Sequence, residues 1–299
     1  MQNLRILPKL RDSLSYLYIE HAIIDQKDAA IEYIDQEGKV MVPVAALCVL
    51  LLGPGTSITH AAIRTLAENG CTVVWTGEDA TRFYAQGTGE TRRGYHLLHQ
   101  AEMVSNETKH MDVVIRMYKY RFNQTLDATM SLPQLRGMEG VRVREAYAKA
   151  SRKFGVKWSG RNYDRSSWNS GDPLNRALSA ANALLNGLCH AAIVSGGYSP
   201  ALGFIHTGKQ LSFVYDVADL YKVEFTIPLA FELVSLSAEN VENRIRETLR
   251  EKFREAKLLE RILPDIDTLL ATPQNLESEF PADTDQAFPE PLWDENMEV

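Results

Sequence analysis

From Ser13 to Gly87 the apolar positions come in short runs broken by turn residues: SLSYLYI, AAIEYI, a polar DQEGK, then VMVPVAALCVLLL ending at Gly53-Pro54-Gly55. Short runs rich in Val, Ile, Leu and Tyr, bounded by Gly, Pro and Asp, predict strands. TSITHAAIRTLAENG interrupts them with helical spacing, Thr56 or Thr59 serving as N-cap and Gly70 as the C-terminal stop. CTVVWTG and RFYAQG predict two more strands, so residues 1–86 read as a β-rich domain. Past GTGETRRG (87–94) the period changes. MDVVIRMYKYRF, VREAYAKASRKFG and LNRALSAANALLNGLCHAAIV repeat apolar residues every three or four positions, and residues 95–275 read as an α-helical domain. The glycines of 87–94 fit neither GxGxxG nor GxxxxGK[ST], which leaves that stretch as a hinge. Residues 276–299 are acidic and proline-rich, too polar to bury a core. The fold class expected is α+β: a small β-rich N-terminal domain, a mostly α-helical second domain and a disordered tail. Phe280, Phe288 and Trp293 give that tail anchors for docking on assembly.

A length of 299 residues at 45% hydrophobic composition suffices for one large or two ordinary domains. The start of the chain lacks a basic region followed by an apolar stretch and cleavage site, and no window is expected to reach 18 uncharged apolar residues. The expectation is a cytoplasmic protein with no membrane partner. Cys48, Cys71 and Cys189 form no CxxC pair and read as small buried apolar residues. The net charge of −7 argues at first against nucleic acid, but its distribution reverses the inference. No Lys or Arg follows Arg261, whereas ten acids do; residues 91–165 carry 15 basic against 7 acidic groups. A basic face within an acidic chain is the footprint of a phosphate-binding surface.

The most informative stretch is GFIHTGKQLSFVYDVADLYK, which sets His206, Asp216 and Asp219 in apolar company. On a helix Asp216 and Asp219 lie about 60° apart, so both carboxylates leave one face and can share a divalent cation. Carboxylate and water ligands suit Mg²⁺ or Mn²⁺, and a nearby imidazole shifts the preference toward Mn²⁺. The same spacing also fits a solvated ladder of Asp216, Asp219 and Lys222. Glu139, in LRGMEGVRVREAY between Gly137 and Gly140, reads as an acid at a helix start, with Arg136, Arg142 and Arg144 around it.

RGMEGVRVR, GFIHTGK and SFVYDVADL stand in the order and spacing of the CRISPR-associated integrase family. Over most of residues 10–270, including PGTSITHAAIR, GVKWSGRNYD and GGYSPALGFIHTG, the chain resembles the form that accompanies the type I, subtype E interference complex. The resemblance implies a β-rich N-terminal domain that forms a homodimer and a helical catalytic domain. It implies a metal held by Glu139, His206 and Asp219, with Asp216 as a further catalytic residue, and Mg²⁺ or Mn²⁺ as cofactor. The implied reaction is transesterification, in which the 3′-hydroxyl of captured double-stranded DNA with single-stranded 3′ ends attacks CRISPR repeat or leader DNA. The implied assembly has two enzyme dimers bridged by a dimer of a second small CRISPR-associated protein.

For DNA contact the residues themselves offer WSGRNYDRSSW, where Trp158, Tyr163 and Trp168 alternate with Arg161 and Arg165. Aromatic faces stack on unpaired bases while guanidiniums hold phosphates; packing of the aromatics into the domain is the competing reading. Arg64, Arg82, Arg136, Arg142, Lys209, Tyr215 and Lys222 are further candidates. His21 and Asn186 stand where some relatives carry aromatics, which weakens stacking at those two positions. Two other functions fit the sequence: a metal-dependent nuclease on branched DNA without integration, and a non-catalytic DNA-organising scaffold.

Overall fold

The computed structural model describes residues 16–28, 30–78, 83–89, 94–122, 130, 132–160, 172–273 and 276. The expectations for the acidic tail, for Arg82 and for Arg161, Tyr163, Arg165 and Trp168 lie outside these residues.

The chain opens with β1 (Tyr16–Ile19), β2 (Ile23–Lys27), β3 (Ala30–Ile34) and β4 (Lys39–Pro43), followed by a 3₁₀ turn at Val44–Ala46. Then come β5 (Val49–Leu52), β6 (Ser57–Ile58), helix α1 (His60–Glu68), β7 (Thr72–Thr76) and β8 (Phe83–Gly87). The strands form two four-stranded sheets, ordered β1-β5-β7-β8 and β4-β3-β2-β6. In the first, β1, β5 and β7 run parallel and β8 closes antiparallel; in the second, β6 is parallel to β2 and the rest antiparallel.

Two details depart from the sequence expectation. VMVPVAALCVLLL is not one strand: Pro43, which has no N–H to continue a ladder, ends β4, and the 3₁₀ turn carries the chain into the other sheet as β5. The strand β2 was hidden because Ile23 is exposed beside buried Ile24, followed by Asp25, Gln26 and Lys27, so the segment reads as polar. The expected helix is present. Thr59 is its N-cap, accepting from the Ala62 N–H at 3.3 Å, while Gly70 takes a left-handed φ of 64° just past its end.

Leu50 and Leu52 of β5 point to one side, where Ile24, Ile31, Ala62, Leu66 and Val73 fill the space between the sheets and α1. Val49 and Leu51 point to the other side and meet Ala191 and Val194 of the helical region. A strand buried on both faces must be continuously apolar, which explains VLLL.

The helices are α2 (Tyr95–Ser105), α3 (Glu107–Phe122), α4 (Leu132–Phe154), α5 (Pro173–Ser195), α6 (Ser212–Asp219), α7 (Thr226–Leu236), α8 (Val241–Glu255) and α9 (Leu258–Leu270). α5 is the central one: Leu174, Leu178, Leu185 and Ile193 are buried in the core that α3 and α6–α9 share. Among the described residues it is long and apolar enough to cross a membrane, yet most of it is buried against neighbouring helices. All three cysteines are free, Cys71 and Cys189 buried and Cys48 half-buried.

Where α5 meets the first sheet, the His190 ring packs tilted against Phe83, with centroids 3.9 Å apart, and its Nε2 lies 3.1 Å from Gln86 Oε1. Burial lowers its pKa to about 4. Below about pH 6.5 the unfolded chain protonates this histidine while the folded chain does not, so stability falls as pH drops from about 6.5 to about 4. His190→Phe, which keeps a ring and cannot titrate, should lose about 2–3 kcal/mol less across that window. The check is urea unfolding of both proteins between pH 7 and 4; parallel pH curves would refute a neutral buried His190.

Candidate metal and nucleic-acid site

The site is built on α3, α4, α6 and the loop before α6. Asp216 is 0% exposed, and its carboxylate accepts four hydrogen bonds from that loop. They come from the N–H groups of Phe204 (2.6 Å), Ile205 (3.1 Å) and His206 (2.9 Å), and from His206 Nδ1 (2.7 Å). Hydrogen bonds to a buried carboxylate contribute about 1.5–3 kcal/mol each, so this residue fixes the loop. Gly203 lets the loop fold this tightly, because a Cβ there would stand 2.2 Å from the His206 carbonyl oxygen. The hydrogen bond to Asp216, outweighing burial, raises the pKa of His206 above its ordinary value. With Nδ1 committed to Asp216, Nε2 of this half-exposed ring remains for a ligand.

Asp216 and Asp219 do share α6, as their spacing predicts, but they serve different partners. Asp219 pairs with Lys222 one turn on, and its Oδ2 lies 3.5 Å from Arg121 Nη2. Arg121, in the last turn of α3, also pairs with Glu139 Oε1 through the same nitrogen. The other Glu139 oxygen accepts from Tyr118 Oη at 2.9 Å. Burial, and next the facing Glu139 charge, hold the Tyr118 phenol above its usual range, so it stays a donor. The solvated ladder therefore describes only the contact of Asp219 with Lys222.

Glu139 lies not at a helix start but in the eighth position of α4, whose first turn carries Pro133. The helix runs through Gly137 and Gly140, each costing about 1 kcal/mol relative to Ala. Its first turn is therefore too far away for the helix dipole to act on Glu139.

The donor types suit a hard divalent ion: two carboxylates that reach one guanidinium nitrogen, and an imidazole anchored to Asp216 on the helix that carries Asp219. Among the described residues, no three His, Cys, Asp or Glu side chains form a ready cage. An ion bound here would have to take Glu139 and Asp219 from Arg121 and Lys222. Tyr118 and Arg121 were not foreseen; one turn apart in MDVVIRMYKYRF, they read as part of an amphipathic helix.

The remaining candidates fall as follows. Tyr215 meets His206 edge-on at 5.9 Å, and Lys209 is exposed three residues from it. Arg136 is exposed on α4, while Arg142 covers the Phe122 ring at 4.9 Å. Trp158 has one face stacked on Tyr147 at 4.4 Å and 5°, so that face packs within the domain. Arg64 pairs with Glu68 on α1, away from this group, and His21 sits in a left-handed turn with φ 50°. Asn186 is half-buried on α5.

Comparison with known proteins decides the family. CRISPR-associated endonuclease Cas1 2 of Thermus thermophilus is 54% identical over 298 residues, spanning 100% of this chain and 92% of that one. This chain belongs to the Cas1 family. The family model for CRISPR associated protein Cas1 matches residues 120–243, a span that holds Arg121, Glu139, His206, Asp216, Asp219 and Lys222. The Cas1 of Escherichia coli is 40% identical over 263 residues, 88% of this chain and 86% of its own. Among solved structures, a TtCas1-DNA complex superposes with a TM-score of 0.78 at 56% identity, covering 89% of this chain and 100% of that one. A chain of a partial Cas6-RT-Cas1–Cas2 complex shares the Cas1 fold at 15% identity, with a TM-score of 0.60 over 90% of this chain and 97% of its own.

Proposed function

We propose that this Cas1 chain is a metal-dependent DNA integrase of CRISPR spacer acquisition, similar to the type I, subtype E form, working in the cytoplasm. The observation that carries this reading is that Arg121 draws Glu139 and Asp219 to one nitrogen, while Asp216, on the same helix as Asp219, anchors the His206 ring. Glu139, Asp219 and His206 Nε2 would hold Mg²⁺ or Mn²⁺, which supplies charge stabilisation at a phosphodiester and eases ionisation of an attacking hydroxyl. Asp216 keeps the imidazole in one tautomer and orientation. Tyr118 fixes the Glu139 carboxylate. Lys222 beside Asp219, Tyr215 beside His206 and the exposed Lys209 would meet an incoming phosphate, and the basic residues of 91–165 would hold the duplex.

The substrate class is duplex DNA with single-stranded 3′ ends, joined to repeat or leader DNA. The name of the partial Cas6-RT-Cas1–Cas2 complex supports a second small CRISPR-associated protein as partner, here a dimer bridging two Cas1 homodimers joined through the β-rich domain. The relatives' name, endonuclease, fits the same site when water replaces the 3′-hydroxyl.

The test uses purified protein, its partner, supercoiled array DNA and a duplex carrying 3′-hydroxyls. Joined product should form with Mn²⁺ at least as well as with Mg²⁺, vanish with EDTA and return on adding the ion. Cleavage without any joined product would make the chain a nuclease alone. Duplex affinity should fall with salt at a log-log slope of roughly −0.9 per phosphate neutralised; a flat titration would remove 91–165 as the DNA face.

A further inference from the structure

Every carboxylate oxygen of Glu139 and Asp219 is engaged by a donor of the chain itself. Tyr118 and Arg121 hold Glu139, while Arg121 and Lys222 hold Asp219. Two acids face two cations, so the pair is neutral before any ion arrives. A divalent ion held by both acids would stand where Arg121 Nη2 now bridges them and repel the cations paired with them, and the two cations differ in what displacement costs. Lys222 is 30% exposed on a flexible stem and can return its ammonium to water. Arg121 is 9% exposed, and losing both acids would leave a buried guanidinium without an anion, which is strongly unfavourable. Its Nη1 is already buried with no hydrogen-bond partner among the described residues. The site uses one prong of a fork whose planar geometry suits two oxygens of one phosphate.

We propose that Arg121 is an internal counter-cation that yields Glu139 and Asp219 to the divalent ion and takes a DNA phosphate with the freed fork. Metal and DNA then bind cooperatively. Without a phosphate, loading the ion strands Arg121; with one, the guanidinium exchanges one anion for another. By linkage, the ion tightens DNA binding by the factor with which DNA tightens ion binding. The inference rests on Glu139 and Asp219 being the ion's ligands.

The experiment titrates Mn²⁺ into the full-length protein and follows free Mn²⁺ by electron paramagnetic resonance. It is done with and without a duplex whose 3′ ends are dideoxy, so that no joining occurs. In the parent, the duplex should tighten Mn²⁺ binding about tenfold or more. Arg121→Met, which keeps an apolar stem, should bind Mn²⁺ about tenfold more tightly than the parent without DNA and gain less than about twofold from the duplex. Equal Mn²⁺ affinity of the parent with and without duplex overturns the proposal, and so does an Arg121→Met protein that binds Mn²⁺ no better than the parent. The parent comparison needs no variant and decides even if Arg121→Met does not fold. Asp219→Asn separates the two levels: if it binds Mn²⁺ as well as the parent, the ligand assignment itself fails; if it does not, only the arginine exchange was at stake.

Discussion

Asp219→Asn should reduce strand joining by about a thousandfold or more, the scale of losing a cation's stabilisation of a developing phosphate charge. Measured without a divalent ion, where the coupling proposed for Arg121 does not act, the same change should leave duplex affinity within about threefold, because the phosphate contacts are made by other residues. It should cost only about 1 kcal/mol of stability, since Asn still offers Lys222 and Arg121 an acceptor and Arg121 keeps Glu139. Joining on array DNA, duplex titration and a thermal melt measure the three. A variant that joins DNA at the parent rate would end the assignment of Asp219 to the ion.

Asp216→Ala, three residues earlier on the same helix, should behave in the opposite way toward stability. Removing its buried carboxylate leaves three N–H groups of residues 204–206 without their acceptor, and frees the His206 ring. Breaking a buried charged network of this kind costs about 3–5 kcal/mol, which lowers the melting midpoint by about 10 °C for a domain of this size. Joining should disappear as well, because Nε2 of His206 is no longer aimed. A melt unchanged from the parent, with joining lost, would instead mean that Asp216 acts at the ion directly and not through the loop.

The contrast between these two acids marks where sequence reasoning runs out. The spacing of Asp216 and Asp219 correctly places both on one helix, because helical periodicity is local. What each acid faces is tertiary. The segment from Gly203 to His206 folds back over Asp216, and α3 delivers Arg121 to Asp219 from 98 positions away. Glu139 shows the same limit at shorter range. Two glycines beside it suggested a helix boundary, whereas burial of Leu135 and Ala150 along one face carries the helix through them. Short apolar runs between turn residues disclose the β-rich start, and apolar spacing of three or four discloses the helical remainder, since burial leaves its pattern in the chain. Tyr118 and Arg121 leave no such mark: a tyrosine and an arginine on an amphipathic helix differ from any others only by what the fold sets opposite them.

Asp216 grips main chain more than side chains. Three of its four bonds go to peptide N–H groups, which every residue but proline supplies, so the loop's shape is imposed without dictating its composition. The Ile205 side chain takes no part in these bonds; it packs against the helical core, so position 205 helps to aim the histidine beside it through its peptide alone. Gly203 admits no replacement, since any side chain would strike the His206 carbonyl oxygen. Position 205 can thus exchange one apolar side chain for another to suit the core, without rebuilding the support under His206.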